Sequence, residues 1–113
     1  MQHSLRFESG ALQKQFLHLL IESGAQFTLA ADGAAECNDE AWAQVNSIAH
    51  TIRSGCFPWY FSWFESPEGA EWFRGELMCR GLRFECEHHE GKPVFLLPKA
   101  DREAHRALHN PEP

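Results

Sequence analysis

The sequence predicts an α+β fold, formed by a tandem duplication of a helix–β-hairpin–helix unit packed around a central aromatic linker. Three observations lead to this prediction. Matched residues recur 57 positions apart, a hairpin signal follows the first helix of each copy, and aromatic side chains crowd residues 56–65 between the copies. We expect a single domain over residues 1–113, with one sub-repeat at about 9–55 and the other at about 66–109, because this length suits one core.

Both helices of the first sub-repeat carry start and stop signals. Ser9 can cap a helix over residues 10–23, and Gly24 suits the left-handed residue just past its end. Asn38 can cap a second helix over residues 39–54, and Gly55 is its expected end. Apolar residues recur at helical spacing in both segments, which predicts one buried face on each helix.

A β-hairpin is predicted between these two helices. Residues 26–31 alternate as a strand does, Asp32-Gly33 is a tight-turn signal, and residues 34–37 suit the returning strand. The first sub-repeat is therefore expected to read helix, hairpin, helix.

The second sub-repeat follows the same order. Ser66 and Pro67 are a strong helix start, and Gly81 is the expected end of that helix. The elements expected after it are a strand through residues 82–86, a turn near 89–91, a returning strand over 93–97 and a short helix over 101–109.

The duplication is predicted from residues that match in identity and in expected role. The matched pairs are Ser9 with Ser66, Phe16 with Phe73, Leu20 with Leu77, Gly24 with Gly81 and Phe27 with Phe84. They serve in turn as a helix cap, two core positions, a stop signal and the first core residue of a strand. Since one such unit is too small to bury its own apolar face, we expect the two copies to pack against each other.

The charge balance limits the expected partners. The chain carries 10 Lys and Arg against 16 Asp and Glu, a formal charge of −6, so we expect no direct contact with nucleic acid. No apolar run approaches the ~18 residues of a membrane span, and the first residues lack the apolar run of a signal peptide. We therefore expect a cytoplasmic protein that does not bind membranes, with its four cysteines reduced.

The segment Leu19–Gly33 resembles the start of the N-terminal docking domains of tubulysin-type megasynthases, and similar segments occur in primase- and mobile-element-associated proteins. The shared pattern is a Leu-rich helix end, a glycine, an alternating strand and Asp-Gly before the second strand. The resemblance covers the first half of the chain. It implies a small docking or dimerising module whose hairpin receives a partner peptide.

The aromatic linker supplies the main candidates for partner binding. Six of the nine residues in 56–64 are aromatic, and so many rings cannot all point inward from one short segment. One interpretation is a core wedge between the two copies, and the other is an exposed anchor patch, since Trp and Tyr dominate binding hot spots. We expect some of these aromatic rings to lie in the core and others to be partly exposed. The partner-binding candidates are Trp59, Tyr60, Trp63 and Trp72, together with the acidic Asp32 and Glu36 of the first hairpin.

A metal site is the main chemical alternative. Cys79, Cys86, His105 and His109 contain the two thiols and two imidazoles that tetrahedral zinc requires, although their spacing differs from that of a zinc finger. Cys86 also alternates with apolar residues, as a buried core thiol does. We therefore expect no metal and no cofactor, and keep zinc binding as an alternative.

No catalytic motif with a phosphate loop, a nucleophile elbow or a His-Glu-x-x-His pattern is present, so we expect no enzyme. The predicted function is a small acidic interaction module that docks on a larger protein partner through aromatic and acidic surface. One alternative is an inhibitor, of the phage or mobile-element type, that occupies the basic groove of a nucleic-acid enzyme. A homodimer is left open.

Overall fold

The computed structural model describes residues 2–109, which form four helices and one six-stranded antiparallel sheet. In chain order the elements are β1 (Gln2–Phe7), α1 (Gly10–Ser23), β2 (Thr28–Leu29), β3 (Ala35–Asn38), α2 (Asp39–Ser54), β4 (Trp59–Trp63), α3 (Pro67–Cys79), β5 (Glu85–His89), β6 (Lys92–Pro98) and α4 (Arg102–His109), with a 3-10 turn at Lys99–Asp101. The strand order is β2-β3-β1-β5-β6-β4. The expected α+β class is confirmed.

The predicted helix starts are found where the sequence placed them. The hydroxyl of Ser66 accepts a hydrogen bond from the amide of Gly69 at 3.0 Å, and Asn38 accepts one from Ala41 at 3.0 Å. Ser9 does the same for Leu12 at 3.4 Å. These side chains satisfy amide groups that the first turn of a helix leaves without partners.

Two strands were not predicted, and both come before the first helix of a half. β1 precedes α1, and β4 lies inside the segment that the sequence presented as a linker. β4 was hidden because four of its five residues are aromatic and they lie on both of its faces, which removes the alternation that marks a strand. Each half therefore begins with a strand, and residues 56–65 are in large part an element of the sheet.

The second hairpin begins later than expected. β5 starts at Glu85, whereas the alternation predicted a strand from Leu82. The amide of Leu82 donates to the carbonyl of Leu77 at 2.9 Å, so this part of the chain still closes the end of α3. The turn to β6 is the expected one, because Glu90 and Gly91 both have positive φ values, 55° and 78°, as a two-residue hairpin turn requires.

The helices of the two halves cover opposite faces of the sheet. Residues paired across antiparallel strands share a face, and Phe7 of β1 pairs with Glu87 of β5. The buried side chains of β1, Leu5 and Phe7, pack with α1 and α2, so we call this the α1–α2 face. Cys86 points to the other side, packs with α3 and α4, and defines the α3–α4 face.

The two halves are joined through the middle of the sheet by the pairing of β1 with β5. Each half has its own apolar cluster, one around Phe16 and Leu20 and the other around Phe73 and Phe95. No helix among the described residues is both long enough and apolar enough to cross a membrane.

A candidate docking site at the aromatic edge strand

Strand β4 is the last strand of the sheet and pairs on one side only, with β6. None of its five residues is fully buried, whereas Val94–Pro98 of β6 are all buried. Within residues 59–63 there is no charged residue and no proline. β4 is therefore an apolar edge strand with an open side.

The backbone groups at this open side belong to Trp59, Phe61 and Trp63. The amide of Lys99 donates to the carbonyl of Pro58 at 2.9 Å, which makes residues 58 and 99 a hydrogen-bonded pair. Hydrogen-bonded pairs alternate along an antiparallel ladder, so Tyr60 and Ser62 also point their backbone groups toward β6. The N–H and C=O groups of the three residues between and beside them point away from β6.

The side chains of these same three residues lie on the α1–α2 face. Trp59 and Phe61 form a ladder with ring centroids 4.8 Å apart. The guanidinium of Arg53, from the last turn of α2, lies over both rings, 5.0 Å from Phe61 and 5.9 Å from Trp59. Trp63 is the next residue on this face and is 67% exposed.

Arg53 also forms a buried ion pair with Glu87. Its Nε and Nη2 donate to the two carboxylate oxygens at 2.6 and 2.8 Å, and His89 Nε2 lies 2.6 Å from Glu87 Oε1. Burial by itself would raise the pKa of Glu87, but the hydrogen bonds from His89 and Arg53, and the charge of Arg53, lower it below its usual value. The carboxylate is thus held ionised inside the protein.

An open groove lies beside Trp63 at the end of the ladder. Its volume is about 530 Å³, and its lining consists of Trp63, Phe64, Glu65, His89, Lys92, Pro93 and Val94. Val94 pairs with Trp63 across the β4–β6 ladder and is buried, so it lies at the floor. The groove combines an aromatic wall with groups of both charges.

Tyr60, another partner-binding candidate, points to the α3–α4 face. Its hydroxyl shares a hydrogen bond of 2.6 Å with Nδ1 of the buried His105, and Arg102 lies 5.0 Å over its ring. Burial raises the pKa of Tyr60 above its usual value. The side chain connects β4 to α4, so little of it is available to a partner that binds at the β4 edge.

The other partner-binding candidates lie away from β4. Trp72, on α3, is 49% exposed and is absent from the groove lining. Asp32 and Glu36 belong to the β2–β3 hairpin at the opposite end of the strand order. Asp32 is already engaged, because its carboxylate accepts from the amide of Ala34 at 3.0 Å and lies 3.7 Å from Arg6 Nε. The aromatic and acidic candidates therefore do not form one continuous surface.

A second groove, larger at about 710 Å³, lies beside the β2–β3 hairpin. Its edge strand, β2, is only two residues long. A short edge strand offers few backbone groups to a partner, and this is one way in which proteins protect their sheet edges. We therefore regard the β4 edge as the better docking site despite the smaller groove.

The structure does not bring together the three sequence-predicted zinc ligands whose side chains it describes, Cys79, Cys86 and His105. Cys79 is exposed at the end of α3, Cys86 is buried under α3, and His105 is bound to Tyr60. The side chain of His109 lies outside the described part of the structure. All four cysteines are free thiols.

A different group, Glu8, Cys86 and His88, has ligand atoms within 4.8 Å of one another and is the one such group among residues 2–109. Arg74 already binds Glu8 with both terminal nitrogens, and burial raises the pKa of Cys86 to about 12. A bound guanidinium and a protonated thiol both oppose metal binding. The raised pKa also makes Cys86 a poor nucleophile at neutral pH.

Sequence reasoning did not predict the ion pair of Arg53 with Glu87. It also did not identify Glu65 as a residue that lines a groove beside Trp63. Arg53 and Glu87 are 34 residues apart, so no local pattern links them. A weak signal was present: Arg53 lies in the last turn of an amphipathic helix, directly after its buried stripe. A charged residue at such a position needs a partner if that end of the helix is covered.

Comparisons with protein-family models, with curated proteins and with solved structures found no significant match to this chain.

Proposed function

We propose that the protein is a small, non-enzymatic interaction module that docks on a larger protein partner by adding an extended segment of that partner to β4. The observation that carries this proposal is the open edge of β4, whose outward backbone groups and exposed Trp63 belong to the same short strand. Strand addition uses backbone hydrogen bonds for affinity and side-chain pockets for specificity. β4 and its groove offer both.

The composition of β4 supports a docking role. Proteins protect exposed strand edges with lysine, proline, bulges or short strands, because an open edge pairs with other chains. β2, at the other end of the sheet, is short, whereas β4 has five residues and contains neither lysine nor proline. An aromatic edge of this kind is a liability unless it is used for binding.

The pattern of ion pairs favours this proposal over an inhibitor that mimics phosphate groups. Glu8 is bound by Arg74 and His88, and Glu87 is bound by Arg53. Carboxylates that are neutralised within the fold add little to an external negative field. The acidic balance of the chain is therefore better suited to a moderately basic partner segment than to occupying a nucleic-acid groove.

We also infer that the chain arose by tandem duplication, in a form larger than the helix–hairpin–helix unit. Both halves have the element order strand, helix, strand, strand, helix, and the strand orders β2-β3-β1 and β5-β6-β4 correspond position by position. The equivalent of β4 in the first half is β1, and its outer edge is covered by β5. This correspondence supports β4 as an edge that can accept a strand.

The proposal is tested by selecting displayed random peptides of about ten residues on the intact protein, then mapping the bound peptide by amide NMR. We expect the amides of Trp59, Phe61 and Trp63 to shift and to exchange more slowly with solvent. Trp63→Ala should weaken binding about tenfold or more, as for a central aromatic anchor. Trp72→Ala, which removes another exposed tryptophan, is the matched control and should bind like the wild type.

Two results would contradict the proposal. One is a set of selected peptides that leaves the β4 amides unchanged and binds Trp63→Ala as tightly as the wild type. The other is a dimeric mass of the free protein with the β4 amides already protected, which would assign the edge to a second copy of the chain.

A further inference from the structure

We propose that the groove at Trp63 is a binding site for an arginine side chain carried by the docked segment. The inference rests on the proposed function, since it specifies which residue of the partner occupies the end of the β4 ladder. It is argued from the way in which the protein already holds one of its own arginines on the same ladder.

Arg53 shows what this aromatic face binds. Its guanidinium lies over Phe61 and Trp59 and is paired with the carboxylate of Glu87. Guanidinium groups stack on aromatic faces and pair with carboxylates through two parallel hydrogen bonds. Two of the three rings on this face of β4 are thus occupied by an internal arginine.

The third ring, Trp63, repeats this environment at the surface. It is 67% exposed, the groove beside it has the buried Val94 at its floor, and Glu65 supplies a carboxylate in the lining. An arginine can lay its apolar stem and planar guanidinium along such a surface while its charge faces a carboxylate. The aromatic ring and the acid are therefore available together for an external guanidinium.

The geometry of strand addition directs a partner side chain to this groove. Residues directly opposite each other on paired strands share a face and have Cβ atoms about 5 Å apart. A docked residue opposite Trp63 therefore projects its side chain to the α1–α2 face, beside the Trp63 ring. Val94 of β6 and His89 of β5 place the groove on the inner side of that ring, so a long side chain such as that of arginine is needed to reach across it. The next residue of the docked segment points to the other face of the sheet. Only the residue opposite Trp63 therefore contributes its side chain to this groove.

The two basic groups of the lining are compatible with this occupant. His89 directs Nε2 to Glu87, at 2.6 Å. Lys92 begins β6 and is exposed, so its amine can extend into solvent while its stem stays at the wall. The net charge of −6 adds a long-range attraction for a basic segment.

The experiment compares peptide pools selected from one random library on five forms of the intact protein: wild type, Trp63→Ala, Glu65→Gln, Trp72→Ala and Glu68→Gln. The wild-type pool should show arginine enriched at one position. That enrichment should disappear with Trp63→Ala, fall with Glu65→Gln and persist in the two controls, whose altered residues are absent from the groove lining. In the tightest peptide, replacing this arginine by the isosteric, neutral citrulline should weaken binding about tenfold.

The outcomes separate this inference from the proposed function. Peptides that protect the β4 amides but show no preferred basic position, or keep it on Trp63→Ala and Glu65→Gln, overturn the arginine site and leave strand addition intact. If no pool protects β4, both are overturned. Circular dichroism of each variant establishes that a lost preference reflects the groove and not unfolding.

Discussion

Glu8 illustrates how a single residue near the joint between the halves depends on its neighbours. The hydrogen bond from Arg74 lowers the pKa of Glu8 to about 2; partial burial opposes this shift and His88 adds to it. Arg74 reaches Glu8 from α3, and its own pKa is raised by the same contact. The cluster that superficially matches metal-ligand spacing is therefore an ion-pair network between α3 and the sheet.

This network predicts a specific loss of stability in acid. The folded-state pKa of Glu8 lies below the ordinary glutamate value of about 4.3, so its stabilising effect is present above that value and is lost as the pH falls toward about 2. Glu8→Gln should cost about 1 kcal/mol at pH 6 and much less near pH 2. Urea unfolding at a series of pH values measures both.

The control for this prediction is Glu22→Gln on α1, an exposed carboxylate that is near His18 but remote in sequence from Arg74. Its unfolding curves should follow those of the wild type in the same acid range. An equal acid dependence in wild type and Glu8→Gln would show that the contact with Arg74 does not stabilise the folded state.

The packing of α2 against the second half of the sheet depends on its last turn. α2 follows β3 in the first half, yet its Arg53 is 2% exposed and is paired with Glu87 of β5. Asn46, about two turns earlier, contributes a longer contact of 3.5 Å to the same guanidinium. The helix thus connects the two halves in addition to closing its own core.

Removing Arg53 should be strongly destabilising, because it leaves the Glu87 carboxylate buried without its main partner. Arg53→Met should reduce the free energy of unfolding by about 3–5 kcal/mol. The double variant Arg53→Met with Glu87→Leu should recover a large part of this loss, since neither charge then remains. Denaturant unfolding of the three proteins gives the coupling energy.

Arg80→Ala is the matched control, because Arg80 forms an exposed pair with Glu76 on one helix, at 3.4 Å. Such pairs contribute about 0.5 kcal/mol. If Arg53→Met cost no more than this control, the buried pair would have no special part in holding α2 to β5.

Sequence-based prediction was accurate for the helix starts and less accurate for the strand limits. The starts of α1, α2 and α3 were predicted because a capping side chain and the amide it binds are three residues apart, within one local pattern. The boundaries of β5 were less accurate, because the chain at Leu82 is held by the end of α3. Strand limits depend on which neighbour the backbone pairs with, and that neighbour is remote in sequence.

At the scale of the whole molecule, the two halves depend on each other. β1 and β5 are paired, and they contribute Leu5 and Glu87, which are both fully buried. Either half alone would expose a long strand edge, and the second half would also leave Glu87 without Arg53. We therefore expect the halves to fold together, as units of small tandem arrays do.

This dependence is tested by producing residues 1–55 and 56–113 as separate fragments. Each fragment alone should show poorly dispersed amide NMR signals, and mixing them should restore dispersion and a 1:1 complex by mass. The division lies after Gly55, which is exposed between α2 and β4, so few contacts are cut by the break itself. Cooperative unfolding of one isolated fragment would contradict the prediction.

The sequence by itself determined the helices, their capping residues, the hairpin turns and the buried stripes, because each of these depends on residues within one or two turns of the chain. It also indicated an unusual concentration of aromatic residues at 56–65. Only the tertiary structure decided that β4 lies at an open edge, that Trp63 is exposed while Trp59 and Phe61 lie against Arg53, and that the helices of the two halves cover opposite faces. The physical reason is that strand pairing and buried ion pairs join residues far apart in the chain, where local preferences carry no information.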